Sequence, residues 1–259
     1  MFGGLFASAL ASFYTTLAER ILFYIYGKGR KIYKKEPIWN KILTKASHCR
    51  NCNASLNSIY LIPIIGAFIA KGVCNKCNTK FSYYYSLVEF LFLFIFIFNL
   101  YFFNNILFSV TFTFFLGHVV VSMMTDYKKY ILDYENLPFI LFFGIFSMYS
   151  LNKNLPGLDN LYTGLGFFII FFLVSFLYPN GMGMGDVFYI SAYSFLVGHP
   201  NWIFFLNSAY LLALLTSVIT LRKEESFLKK KVPMGFYYGI ALILTYIINI
   251  YFNIEYIHV

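Results

Sequence analysis

Apolar residues in this chain come in long blocks separated by short polar breaks. Eight blocks can be marked: Phe2–Tyr26, Tyr83–Phe103, Ile106–Met124, Leu137–Leu151, Leu161–Tyr178, Val187–Val197, Trp202–Leu221 and Val232–Phe252. A helix needs roughly 20 apolar residues to cross the hydrocarbon core of a bilayer. In lipid the backbone must satisfy its own hydrogen bonds, which a helix does. The pattern therefore predicts an all-α polytopic membrane protein with about eight transmembrane helices, the fourth and sixth being short. Asn104-Asn105, Pro156-Gly157 and His199-Pro200-Asn201 read as turns. A ninth apolar stretch, Ile59–Ala70, is too short to span and is interrupted by Pro63 and Gly66. It is expected to be an interfacial or re-entrant turn, or the small core of a local domain.

Composition agrees. Of 259 residues, 59% are hydrophobic and only 12% charged, against about 25% charged in ordinary soluble chains. The net charge of +9 resides in the breaks. With the N-terminus outside, the segments facing the cytoplasm are 27–82, 125–136, 179–186 and 222–231. These carry eleven, two, none and five Lys/Arg, and with Arg20 at the inner end of the first block they hold nineteen of the twenty; only Lys153 falls outside. The positive-inside rule thus accounts for the basic character without nucleic acid. The basic run from Lys28 to Arg50 is suited to anionic lipid headgroups. Glu19 and Arg20 are read as a boundary of the first helix.

Against this background the carboxylates are informative, because charges at membrane depth are costly and usually have a function or a partner. Asp186 follows the alternating glycines Gly181, Gly183 and Gly185 at the mouth of the sixth block; Asp126 stands at the end of the third. The charge count puts both on the cytoplasmic face. Two such carboxylates can share one proton. The ionised one can accept a proton from a water attacking a peptide carbonyl, while the protonated one donates to the carbonyl oxygen and then to the leaving amine. Either residue can take either role. The glycines offer a close-approach surface to a substrate helix or to the third span. Taken singly, each Asp is also an ordinary helix-end residue, as are Asp133, Glu135 and Asp159. His118, in mid-block, is expected to be satisfied by an interhelical hydrogen bond. Glu89 lies inside the second block, where a paired carboxylate near the interface is the plain reading.

The only four cysteines form two CxxC pairs, Cys49/Cys52 and Cys74/Cys77, 21 residues apart. Two CxxC turns complete a tetrahedral S4 shell, the pattern of structural zinc. A reducing cytoplasmic location weighs against disulfides. Four protein ligands leave no open position for a catalytic water, so the zinc is expected to stabilise a small domain over 27–82.

At this point the chain resembles a family. Gly183-Met184-Gly185-Asp186 fits the GxGD signature of membrane-embedded aspartyl proteases, and Gly-Met-Gly-Met-Gly-Asp with an upstream aspartate before Leu137-Pro138 looks like the type IV prepilin peptidases. The paired CxxC motifs around Ile62-Pro63, the Tyr83-Tyr84-Tyr85 link and Glu89 are similar to the cytoplasmic domain of bifunctional members. So are the Ala11-Ser12-Phe13-Tyr14 to Arg20 stretch and Val232-Pro233-Met234-Gly235 before the last block. One departure is the family's Ile/Leu-Pro-Asp/Asn element, which here reads Ile131-Leu132-Asp133 without the proline.

The resemblance implies that Asp126 and Asp186 are the catalytic pair of a peptidase of the bacterial inner membrane. Its substrates would be type IV prepilins or pseudopilins, losing a basic leader after a glycine at the cytoplasmic face. It also implies a parse into a first helix (1–26), a zinc domain (27–82) and a protease domain (83–259). Members with the cysteine domain commonly methylate the new amino terminus from S-adenosylmethionine. Glu89 is the candidate to bind that ammonium group. Two other classes stay open on the residues: a GxGD protease that cuts within membrane helices, and a zinc-stabilised scaffold or transporter with the aspartates in an ion path.

Overall fold

The computed structural model describes residues 2–32, 38–49, 51–52, 54–69, 72–80, 82–179, 181–220 and 231–252. The basic segment 222–230 counted above lies outside the described residues, as do Lys34, Lys35, Arg50 and Lys71.

Among the described residues the regular structure is helical. In chain order the helices are α1 (Phe2–Tyr24), α2 (Lys28–Ile32), α3 (Ile38–Thr44), α4 (Ile65–Ile69), α5 (Tyr84–Phe103), α6 (Ile106–Lys129), α7 (Leu137–Asn152), α8 (Leu158–Leu177), α9 (Met184–Val197), α10 (Trp202–Ile219) and α11 (Met234–Phe252). The long helices α1 and α5–α11 fall on the eight apolar blocks. Four of them, α5, α6, α8 and α10, are long and apolar enough to cross a membrane by length and composition. At 14 residues α9 reaches only about 21 Å, short of a bilayer core. Its surroundings explain the difference. Val187, Tyr189, Ile190, Tyr193 and Leu196 are buried, and α7, α8, α10 and α11 all pack on it. A helix apolar on every side is a core helix, so α9 is covered by protein.

The chain forms two compact units, Met1–Gly117 and His118–Val259. In the first, α1 packs along α5. Ala7, Ala11 and Ala18 are fully buried on α1, and a Cβ on Gly3 would collide with the Phe96 ring of α5; small side chains let helices approach closely in lipid. Arg20 and Glu19, read above as boundary residues, are also anchors. The Arg20 guanidinium donates to the carbonyls of Ile42 (2.6 Å) and Lys45 (2.5 Å), tying α3 to the end of α1. Glu19 accepts the hydroxyl of Tyr85. The stretch Ile59–Ala70 holds a 3-10 turn, Ser58–Leu61, and the single-turn α4, so it does not span, as expected from Pro63 and Gly66.

In the second unit one boundary differs from expectation. The third block was ended at Met124 with a polar loop from Thr125, but α6 runs on to Lys129. No proline or glycine stops it there. It ends at Tyr130, which turns left-handed (φ 56°) and bonds its N–H to the Asp126 carbonyl at 2.7 Å. Asp126 therefore lies within the last turns of a helix rather than in a loop.

Candidate active site

Asp186 is the third residue of α9, whose N-cap is Gly183 in extended conformation (φ −77°, ψ 152°). The first amides of a helix have no partner inside it. Here the Asp186 carboxylate reaches back to the Gly183 N–H, as the third-position acid does in a capping box. Local structure alone thus fixes this side chain at the start of α9.

Asp126 is held by a distant segment. Its Oδ2 accepts the N–H of Phe236 at 3.1 Å, across 110 residues of sequence, and the Gly235 N–H also donates to the carboxylate. These two amides belong to the first turn of α11, and that of Phe236 is shared between the carboxylate and the Pro233 carbonyl at 3.2 Å. Asp126 is buried, and Asp186 lies within electrostatic reach of it. The fully buried Tyr238 lies within reach of both carboxylates, and its hydroxyl is 3.3 Å from that of Tyr210.

Two glycines make room for this arrangement. A Cβ on Gly185 would stand 3.2 Å from Leu132 Cβ. A Cβ on Gly235 would collide with the Leu132 side chain and stand 3.1 Å from Asp126 Oδ2. Leu132, from the loop after α6, therefore sits between the two glycine backbones beside Asp126. The close approach expected of the Gly181–Gly185 run is made to this loop by Gly185. A Cβ on Gly181 or Gly183 would meet nothing nearer than 3.4 Å. Met182, between the motif glycines, accepts a hydrogen bond from Ser175 of α8 through its carbonyl (3.1 Å).

The other candidates fall elsewhere. His118 makes the expected bond, its Nδ1 lying 2.7 Å from Asn136 Oδ1. Its ring is stacked with Phe139 and Phe143 (centroids 5.1 and 5.5 Å). Glu89 belongs to the first unit. It is buried, and its Oε2 accepts the Ile64 N–H at 2.7 Å. Ile64 holds a left-handed backbone, φ 66°, which costs a residue with a Cβ about 1–2 kcal/mol. The hydrogen bond from its N–H to Glu89, typically worth about 0.5–1.5 kcal/mol net, offsets much of that cost.

The four cysteines also lie in the first unit, in two matching turns. One is closed by a bridge between His48 and Ser55, the other by a bridge between Val73 and Lys80. In each the first cysteine's N–H bonds the carbonyl five residues on, Cys49 to Ala54 (2.8 Å) and Cys74 to Thr79 (2.9 Å). All four Sγ atoms lie within 4.8 Å of one another. The Cys49–Cys77 and Cys52–Cys74 sulfur separations are 3.6 and 3.9 Å. Two thiolates on a tetrahedral zinc, at about 2.3 Å each, would be about 3.8 Å apart. The Thr79 hydroxyl, 3.1 Å from Cys77 Sγ, and the Thr79 amide pull the Cys77 thiol down to about 6. Asn51 Nδ2 donates to the same Thr79 hydroxyl (3.0 Å), joining the two turns. The cluster is able to hold a metal ion and is consistent with zinc.

Gly235, Phe236 and Leu132 as neighbours of Asp126 escaped the reading of the sequence. The Val232–Gly235 element stands out in the sequence, but nothing local says that the amides of Gly235 and Phe236 serve a carboxylate about 110 positions earlier.

An apolar helical protein with two buried or half-buried carboxylates at helix ends, one preceded by Gly-x-Gly, has the make-up of a membrane protease. Comparison with known families agrees. Residues 5–103 match the Bacterial Peptidase A24 N-terminal domain and residues 113–218 match the Type IV leader peptidase family. The two matches take up most of the chain, which belongs to the type IV leader peptidase family, a family of proteases acting on prepilin-type substrates. No curated protein and no solved structure matches it.

The packing at Gly235 yields a prediction. Gly235→Ala is expected to displace Leu132 and the Asp126 carboxylate and to lower proteolytic turnover at least tenfold, since displacements of about 1 Å cost on the order of 10²-fold. Gly166→Ala on α8, where a Cβ would meet nothing within 4 Å, should keep wild-type turnover. Cleavage rates of the two variants in detergent, at matched helix content, check this.

Proposed function

We propose that this protein is a prepilin peptidase of the bacterial inner membrane that cuts a short basic leader from type IV prepilins or pseudopilins, after a glycine and before the apolar helix. Asp126 and Asp186 are its catalytic dyad. The observation that carries the reading is that these carboxylates lie within electrostatic reach of each other although 60 positions apart, each held by backbone amides at the start of a helix. In the proposed reaction one carboxylate is ionised and takes a proton from water as the water oxygen bonds to the scissile carbonyl carbon. The other gives its proton to the carbonyl oxygen. Collapse of the tetrahedral intermediate breaks the C–N bond as a proton passes to the amine. The products are a leader ending in a carboxylate and a mature chain with a free amino terminus.

The charge count supports eight spans with the N-terminus outside and the dyad on the cytoplasmic side, where a basic leader is retained. The glycine run 181–185 then faces the approach of the substrate helix. Cys49, Cys52, Cys74 and Cys77 hold a structural zinc. Bifunctional members of the family bear such a domain, and by that likeness the chain also transfers a methyl group from S-adenosylmethionine to the new amino terminus, with Glu89 as the acid nearest that task. The Glu89–Ile64 hydrogen bond favours a second role for Glu89, holding the 59–69 segment in shape.

In membranes containing a prepilin-type precursor, Asp126→Ala and Asp186→Ala should each abolish cleavage that the wild type performs. Cleavage by both variants would end the aspartyl reading and favour a scaffold or transporter. Reduced, freshly purified protein should hold about one zinc per chain, and Cys77→Ser should lose most of it; metal analysis near zero in the wild type would remove the S4 site. With S-adenosylmethionine the mature product should gain 14 mass units at its amino terminus. Glu89→Gln should reduce that gain while leaving cleavage in place.

A further inference from the structure

Behind the two aspartates lies a set of buried polar groups that the chemistry above does not use. Ser122 is on α6, four residues before Asp126, and Tyr189 is on α9, three residues after Asp186. Side chains three or four apart share a helix face. Ser122 and Tyr189 are fully buried, and their hydroxyl oxygens are 2.9 Å apart. The face of α6 that bears Asp126 is therefore joined to the face of α9 that bears Asp186, about one turn behind the carboxylates.

The contact is one link of a longer chain whose directions can be worked out. Tyr189 Oη is 2.7 Å from the Asp133 carbonyl, which can only accept, so the tyrosine spends its proton there. Its oxygen then accepts from Ser122. Asn136 Nδ2 donates both its protons, to Ser122 Oγ and to the His118 carbonyl, each at 2.7 Å. That leaves Asn136 Oδ1 as acceptor for His118 Nδ1–H at 2.7 Å. The bonds run in one direction from His118 through Asn136, Ser122 and Tyr189 to the Asp133 carbonyl, and Ser122 Oγ also lies 3.4 Å from the His118 carbonyl. Such satisfied buried networks specify a single arrangement, because a register slip would strand several polar groups at once.

Both loop anchors matter. Asp133 precedes the 3-10 turn Tyr134–Asn136 and Asn136 ends it, and Asp133 directly follows Leu132, the side chain seated between Gly185 and Gly235. The element without its proline, Ile131-Leu132-Asp133, is thus held to α9 through the Asp133 carbonyl, and the turn that follows it is held to α6 through Asn136.

We propose that Tyr189, Ser122 and Asn136 are positioning residues of the peptidase: their hydrogen-bond chain sets the α6–α9 register and through it the separation of Asp126 and Asp186. The proposal rests on the aspartyl-dyad reading. Its distinguishing mark is an effect on turnover rather than on substrate binding, since none of the three touches the reacting atoms.

The test uses full-length protein in membranes and, as probe, a prepilin-type precursor with a basic leader ending in glycine. Tyr189→Phe and Ser122→Ala each remove one oxygen and no packing volume of consequence. Each is expected to lower kcat about 10- to 100-fold with KM within about twofold of wild type. The double variant should be no slower than the slower single, because both cut the same link. Wild-type kcat in both singles, with both folded and inserted, would overturn the proposal; so would losses that multiply in the double. If Tyr189→Phe does not fold, Ser122→Ala carries the test by the same kcat and KM criterion. Asp126→Asn and Asp186→Asn, assayed alongside, separate the two levels. If they still cleave, the dyad reading falls; if they are inactive while Ser122→Ala keeps wild-type kcat, only the positioning role falls.

Discussion

Lipid does not hydrogen-bond to protein, and this constraint organises the second unit. A polar side chain on a membrane helix must find its partner on a neighbouring element. Asn136, Ser122 and Tyr189 do so across three segments, and His118 is satisfied among stacked aromatic rings. What would be a scatter of unfavourable residues in an apolar medium becomes a directional tie between α6, α9 and the loop between α6 and α7. Helices held only by apolar contacts can slide by a residue at little cost. Helices tied by a chain of matched donors and acceptors do so only by breaking several bonds together.

The two aspartates are held by opposite strategies. Asp186 is served by its own helix, through the Gly183 amide three residues earlier. Asp126 is served by the far end of the chain, through Gly235 and Phe236. The first carboxylate is in place as soon as α9 has formed. The second depends on α11 having docked. The arrangement of the two carboxylates is therefore complete only when the second unit is.

Much of this was legible in the sequence because its signals are local. The lengths of the apolar blocks marked the long helices, and the CxxC spacing marked the cysteine cluster, whose sulfurs lie as a tetrahedral metal would hold them. What was not legible is non-local or is set by backbone shape. The end of α6, beyond Asp126, is made by Tyr130 taking a left-handed conformation, which no glycine announced. The partners of Asp126 lie 110 residues away. Glu89 was visible as a costly intramembrane acid, but its bond to the strained Ile64 backbone belongs to a turn whose conformation the residue types do not dictate. His118 shows the division within one residue: the sequence suggests a bond to another helix, and the bond is made to Asn136, in the turn before α7.

Leu132 touches the backbone spaces of both Gly185 and Gly235. The bulk of one side chain and the absence of two others are then a single specification distributed over three places in the chain. Divergence at these positions is constrained to be concerted. A lineage that gained a side chain at 235 would have to shed volume at 132, and in doing so would loosen the contact at 185. The glycine before Asp186 and the glycine in the first turn of the last helix thus answer to the same leucine, and drift at one is paced by what the other two can absorb.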